Sequence, residues 1–138
     1  MNGTPFVDTN ILVYASTSDR RSEVANTIIS QPFITGVQAL NEFSVVARRK
    51  LRMEWSSIRS ALEDFRTAAA RIVPLDVNLH IAALDLAERY NVAFYDALML
   101  AAALEAKSTV FISEDMHDGL TVEGLLKIVN PFASSRHA

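Results

Sequence analysis

The chain has 138 residues, 50% of them hydrophobic and 21% charged, which suits one domain able to bury roughly 68% of its unfolded surface and leaves no room for a second. Only 4 Gly and 4 Pro make it too apolar for a disordered segment and too poor in turn residues for an all-β sandwich. A net charge of −3 and 0 Cys exclude a global positive field for nucleic acid, disulfides, thiolate zinc sites and a cysteine nucleophile, and fit a reducing cytoplasm.

The chain opens MNGTPFVDTN, without a basic segment followed by an apolar one, and its longest apolar run, 97–104, falls well short of the roughly 20 residues of a membrane span. Neither export by such a signal nor membrane insertion is expected. Residues 4–7 read as a short strand, and Asp8, Thr9 and Asn10 then provide turn or cap residues before a helical turn carrying Ile11, Leu12 and Tyr14. A helix over 22–30, a strand over 33–35 and a helix over 37–51 follow. In the last, Val37, Leu40, Ser44, Ala47 and Leu51 form a stripe. Next come a helix over 55–70, a strand over 71–74 and a helix over 77–90 whose stripe is Val77, Ile81, Leu84 and Ala87. A helix over 95–105 and strands over 109–113 and 126–129 complete the series. Residues 1–133 form the expected domain, and 134–138 have the composition of a frayed tail.

Short strands alternating with helices predict an α/β fold, because parallel strands need crossovers long enough to hold a helix. The expected architecture is a parallel five-stranded sheet flanked by helices on both faces. Ligands bind such open sheets at the carboxyl ends of the strands, where the strand order reverses, so polar residues after strands and at helix starts are the candidates.

Four acids stand there. Asp8 closes the first strand, where it also suits an N-cap or Asx turn. Glu42 has Ala39, Val45 and Val46 as helical neighbours, which sets a carboxylate beside apolar residues unless it extends to water. Asp96 opens a helix that is apolar on every side, and a first-turn aspartate also suits the helix dipole. Asp115 follows the strand ending at Ser113, among Glu114 and Asp118 in a stretch that reads equally as a solvated turn. Gathered in one cleft, these acids repel one another, and a hard divalent ion such as Mg²⁺ or Mn²⁺, which prefers oxygen ligands and retains several waters, relieves that repulsion.

The pieces Phe6-Val7-Asp8-Thr9-Asn10-Ile11-Leu12, Asn41-Glu42-Phe43, Tyr95-Asp96-Ala97-Leu98-Met99-Leu100, Phe111-Ile112-Ser113-Glu114-Asp115-Met116 and Val129-Asn130-Pro131-Phe132 resemble, in order, the PIN domain, in particular the VapC-type toxins of bacterial toxin–antitoxin pairs. The resemblance implies a metal-dependent endoribonuclease whose acids are Asp8, Glu42, Asp96 and Asp115. Asp8, Asp96 and Asp115 are the metal ligands it suggests, with Asn10 and Ser113 in support. Glu114 and Asp118 lie close enough to replace Asp115. The resemblance further implies Mg²⁺ or Mn²⁺, an RNA substrate, a cognate antitoxin over the acidic cleft, and a homodimer formed through apolar faces of the first helices.

Arg48, Arg49, Lys50 and Arg52 cluster after Glu42. They suit an RNA backbone and, equally, the negative end of a helix dipole; Arg20 and Arg21 invite the same two readings. His80, His117, His137 and Trp55 suggest structural or solvent roles. Glycine-rich phosphate loops and a nucleophile elbow are absent from the sequence. Two other readings compete with a nuclease. An aspartyl-phosphate enzyme would use Asp8 as nucleophile, but Asn10 stands where its partner acid is needed. A non-catalytic α/β binding domain would use the acids only as caps and turns.

Overall fold

The computed structural model describes residues 3–132; the tail expected at 134–138, with His137, lies outside the described residues. The elements run β1 (Phe6–Val7), α1 (Thr9–Ala15), α2 (Arg21–Ile29), β2 (Ile34–Gly36), α3 (Val37–Arg49), α4 (Trp55–Ala68), β3 (Arg71–Val73), α5 (Val77–Tyr90), α6 (Phe94–Glu105), β4 (Val110–Ile112), β5 (Thr121–Val122) and β6 (Leu126–Val129). The strands form one sheet in the order β3-β2-β1-β4-β6-β5. Every pairing is parallel except that of β5 with β6.

The α/β class is as the sequence implies, but the sheet has six strands rather than five. The additional strand, β5, is only two residues long, too short for an alternating pattern to register. It folds back on β6 through a tight turn with Glu123 at φ 54° and Gly124 at φ 67°, closed by a 3.0 Å bond from Leu125 N to Val122 O. Two successive left-handed residues reverse the chain, and Leu125 stays outside the pairing of Val122 with Leu126. Glu123 is secured there by Arg89 Nη1, at 2.5 and 2.6 Å from its two oxygens, and by the Tyr90 hydroxyl at 2.8 Å.

Buried aromatic residues link the layers. Phe6 of β1 stacks on Phe111 of β4 at 5.3 Å between ring centroids, and Phe43 of α3 meets Phe65 of α4 edge-on at 5.1 Å. At Gly36, where β2 passes into α3, an added Cβ would lie 3.4 Å from Phe6 Cζ and 3.6 Å from Val73 O, so the strand–helix junction is close and leaves no space for a side chain larger than a methyl group. Residues 97–103 of α6 are buried all round, which makes α6 the central helix, as its uniform apolarity predicts.

On α5 most of the stripe read from the sequence faces outward, although Ala87 packs against the core. Leu79, Ala83 and Leu86 are buried, while Val77, Ile81 and Leu84 are 73%, 54% and 51% exposed. Both stripes have helical spacing, and α6 covers only one of them. Among the described residues α5 thus leaves three large apolar residues to solvent, against Val24 alone on the first two helices. Likewise α3 turns Ala39, Phe43 and Ala47 inward, one position away from most of the expected stripe. Among the described residues no helix is long and apolar enough to cross a membrane.

Candidate active site

From β1 the chain steps outward to β2 and β3, then returns to the other side of β1 for β4 and β6. The strand order thus reverses between β1 and β4, the place where open α/β sheets bind ligands. Register pairs Val7 with Ile112, so Asp8 and Ser113 leave the sheet side by side. Asp8 N donates to Ile112 O at 3.0 Å, and Ser113 Oγ donates to Asp8 Oδ2 at 2.6 Å. The other carboxylate oxygen accepts from Thr9 N at 2.7 Å. Asp8 is therefore the N-cap of α1 and a wall of the cleft at once; the two readings of the sequence are compatible.

The other acids arrive on helices that begin or pass over the same edge. Glu42, in the second turn of α3, accepts from Thr9 Oγ1 at 3.4 Å and from Gln38 Nε2 at 3.1 Å. Asp96 lies in the first turn of α6, half-buried, because α6 returns the chain from the carboxyl edge to the start of β4. Asp115 is exposed just beyond Ser113; its Oδ2 accepts from Asn10 Nδ2 at 3.1 Å, and its N–H donates to Ser113 Oγ at 3.2 Å. Asn10 Nδ2 also lies 3.4 Å from Asp8 Oδ2 and from Ser113 Oγ, linking the two strand ends.

Electrostatics bind the four into one unit. Burial, above all, pushes the Asp8 carboxyl up to about 7, against the opposing hydrogen bonds from Ser113 and Thr9 and with further upward pressure from Asp96 and Glu42. Asp96 is also raised, first by burial and then by Glu42 and Asp115. Oxygen donors that disfavour one another's charge are suited to a hard cation. Among the described residues no group of three or more Asp, Glu or His side chains is drawn together tightly enough to chelate a metal ion alone. Magnesium does not require such a cage, because it keeps several waters and uses one or two carboxylates plus substrate phosphate; the donor set fits such an ion.

The neighbouring acids have other tasks. Glu114 accepts from the Tyr14 hydroxyl and pairs with Arg21 Nε at 2.8 Å, while Arg21 also stacks over the Tyr14 ring at 5.1 Å. Burial and the bond to Glu114 hold the Tyr14 phenol up near about 12, so it remains a proton donor to that carboxylate. Asp118 Oδ1 accepts from Asn130 N at 2.8 Å and fastens the segment after β6. Of the three acids after β4, Asp115 is the one whose charge acts on Asp96.

Arg48, Arg49, Lys50 and Arg52 are exposed at and just beyond the end of α3. Arg48 donates to Met53 O at 3.1 Å and covers the Trp55 ring at 5.0 Å, so it is directed at its own loop. His80 packs edge-on against Phe94 at 5.4 Å, and His117 is exposed. Sequence reading passes over Thr9 and Gln38, which orient Glu42, and the Tyr14–Glu114–Arg21 group. Gln38 precedes Glu42 by one helical turn, a spacing that signals contact. The other pairings cross 33 and 100 positions, and no local pattern carries them.

Solved structures with this fold include the sarcin–ricin-loop-cleaving toxin VapC20 of Mycobacterium tuberculosis, 19% identical over 78% of this chain and 87% of that one at a TM-score of 0.66. A toxin–antitoxin complex from Klebsiella pneumoniae matches at 18% identity over 93% and 98%, TM-score 0.70, and DNA-bound VapBC from Salmonella typhimurium at 16% over 94% and 98%, TM-score 0.64. At these identities the likeness is one of fold. No curated protein matches the sequence. The family model of the PIN domain matches residues 6–117, most of the chain and all four acids, and the chain belongs to the PIN domain family.

Proposed function

We propose that this protein is a metal-dependent endoribonuclease, the toxin of a toxin–antitoxin pair. The observation that carries the reading is the electrostatic coupling of Asp8, Glu42, Asp96 and Asp115 at the sheet edge between β1 and β4. Membership of the PIN family and the toxin-like structural neighbours support it. Asp8, Asp96 and Asp115 are the residues that would hold Mg²⁺ or Mn²⁺. When bound, such an ion supplies Lewis acidity toward a phosphate oxygen and lowers the pKa of a coordinated water.

The chain's own residues have separable tasks. Ser113, through its 2.6 Å bond to Asp8 Oδ2, favours the ionised form of a buried acid. Asn10 fixes Asp115 relative to Asp8. Glu42, oriented by Thr9 and Gln38, is placed to accept a proton from an attacking water or to orient it. Arg49, Lys50 and Arg52, exposed beyond α3, are available to the RNA backbone. A cognate antitoxin over the cleft is the partner that the complexes of the neighbours suggest, and the exposed Val77, Ile81 and Leu84 of α5 give a homodimer an apolar face. An aspartyl-phosphate enzyme is disfavoured, since Asn10 stands where its partner acid is needed.

The test is cleavage of end-labelled single-stranded RNA with Mg²⁺ or Mn²⁺, beside a chelator control and an equally purified Asp96→Asn protein. Cleavage lost in both controls supports the nuclease. Equal behaviour of wild type and variant, with no divalent-ion binding by calorimetry, refutes it and favours a binding domain.

A further inference from the structure

Beside the acids lies an open pocket of about 530 Å³ lined by Gln38, Asn41, Glu42, Val45, Val46 and Tyr95. That volume falls within the roughly 300 to 1,000 Å³ of pockets that take small ligand groups. It is continuous with the acidic site, because Glu42 belongs to both and Tyr95 immediately precedes Asp96. Val45 and Tyr95 are 50% and 61% exposed, so apolar surface borders the charged centre.

We infer that this pocket receives one nucleobase of a single-stranded RNA, next to the scissile phosphate, and thereby sets a base preference in cleavage. The inference rests on the nuclease reading and deepens it. The lining distinguishes a base from the phosphate of the same strand and from a purely aliphatic group. A phosphate would meet the Glu42 carboxylate and be repelled. A purely aliphatic side chain would desolvate the Gln38 and Asn41 amides without replacing their hydrogen bonds. A base satisfies both halves of the surface: its face lies against Tyr95, Val45 and Val46, and its edge presents donors and acceptors to carboxamides, which read base edges well. Gln38 already donates to Glu42 Oε2 at 3.1 Å, so its carbonyl oxygen is oriented away from the carboxylate. Asn41, exposed on the same helix, is the residue assigned to discriminate between bases, and Tyr95 the one assigned to stack.

Two measurements separate this inference from the reading beneath it. In the first, a randomised single-stranded RNA is cleaved with Mn²⁺ by wild type, Tyr95→Leu, Tyr95→Phe and Asn41→Ala, and the products are sequenced. Expected are a base preference at one position beside the cut for wild type and Tyr95→Phe, and its loss in Tyr95→Leu. Asn41→Ala should broaden the choice of base. In the second, a fluorescent oligonucleotide of the preferred sequence is titrated without divalent ions into Asp96→Asn and into the Asp96→Asn, Tyr95→Leu double variant. Binding should weaken roughly 5- to 150-fold, the range of base–aromatic stacking, and an abasic site at that position should produce the same loss in the single variant and none in the double variant. Thermal melts verify that these surface changes leave the fold intact.

If wild type cleaves RNA while Tyr95→Leu and Asn41→Ala keep its rate and sequence profile, the subsite is wrong and the nuclease stands. If wild type cleaves no RNA with either ion, the nuclease reading falls and the subsite with it. If the RNA profile is unchanged while Tyr95→Leu loses affinity for a cognate partner protein, the pocket belongs to that protein and the inference is overturned.

Discussion

The Asp8 carboxyl makes a direct thermodynamic prediction. Its pKa is raised from 3.8 to about 7 in the fold, so between those values the folded protein holds a proton that the unfolded chain has released. Stability therefore falls as pH rises through this window, being full below about pH 4 and reaching its floor above about pH 7. At about 1.36 kcal/mol per pH unit, ionising Asp8 inside the metal-free protein costs on the order of 4 kcal/mol at pH 8, a large fraction of the roughly 5 to 15 kcal/mol that holds a domain folded. Asp8→Asn removes the titration but keeps an oxygen to accept from Thr9 N. Urea unfolding of wild type and Asp8→Asn in chelator at pH 4, 5, 6, 7 and 8 isolates the Asp8 titration together with its coupling to Asp96 and Glu42, because groups that do not interact with Asp8 cancel. The stability of wild type relative to the variant should drop steadily from pH 4 to 7 and then level off. Magnesium added at pH 8 should recover much of the drop in wild type and little in the variant, since a ligand that binds only the folded state stabilises it by mass action. A difference constant to within about 0.5 kcal/mol, the scatter expected of independent sites, would refute the claim that burial and the facing acids hold Asp8 protonated.

Three further outcomes follow from the same geometry. Asp96→Asn should lose more activity than the roughly 10- to 100-fold that removal of an outer-shell partner costs, with a melting temperature at pH 8 equal to or above that of wild type, since a repelling charge has gone; single-turnover cleavage and a thermal melt measure both. Ser113→Ala deletes the one side-chain donor credited with lowering the Asp8 pKa, so the Asp8 titration should move above about 7, read by carboxyl-carbon NMR in metal-free buffer, and an unmoved midpoint would remove Ser113 from this role. Gly36→Val drives a side chain toward Phe6 and the Val73 carbonyl and should destabilise the fold by about 1–3 kcal/mol in urea, while Gly124→Asn, at φ 67° with nothing within 4 Å of an added Cβ, should cost well under that, because asparagine tolerates this conformation.

How far the sequence reveals this molecule depends on whether each signal is local. Asp8, Asp96 and Asp115 occupy boundaries that sequence marks well: the end of an apolar run, the start of a uniformly apolar helix, and a polar cluster after β-branched residues. Glu42 is visible only as a carboxylate among apolar neighbours, and its orientation by Thr9 depends on a contact across 33 positions. The different surroundings of Glu114, Asp115 and Asp118 are hidden from sequence for the same reason. What separates them is Tyr14 and Arg21 engaging Glu114 from the first helices and Asn130 engaging Asp118 from beyond β6. On α5, Val77, Ile81 and Leu84 have the same helical spacing as Leu79, Ala83 and Leu86. Periodicity establishes that there is a helix, and only the packing of α6 decides which stripe is inside. The strand β5 escapes because its signal lies in a turn, Glu123-Gly124, whose first residue is an uncommon choice for a left-handed conformation.

The same distinction separates what holds the site from what the site does. The sheet edge that gathers the acids is built from Phe6, Phe111, Gly36 and the buried face of α6, residues chosen for shape, and the repulsion among the acids opposes the fold they sit on. Local donors offset part of that repulsion: Thr9 N and Ser113 Oγ on Asp8, Asn10 Nδ2 on Asp115, Gln38 Nε2 on Glu42. Each acid that these groups hold is thereby oriented before any cation or substrate arrives, so binding need not supply that order. Asp96 stands apart. Burial, Glu42 and Asp115 all disfavour its charge, against which its place in the first turn of α6 sets only the helix dipole. The carboxylate with the least support from the protein has the most to gain from a cation, and this makes Asp96 the position where substitution should separate metal affinity from folding most cleanly.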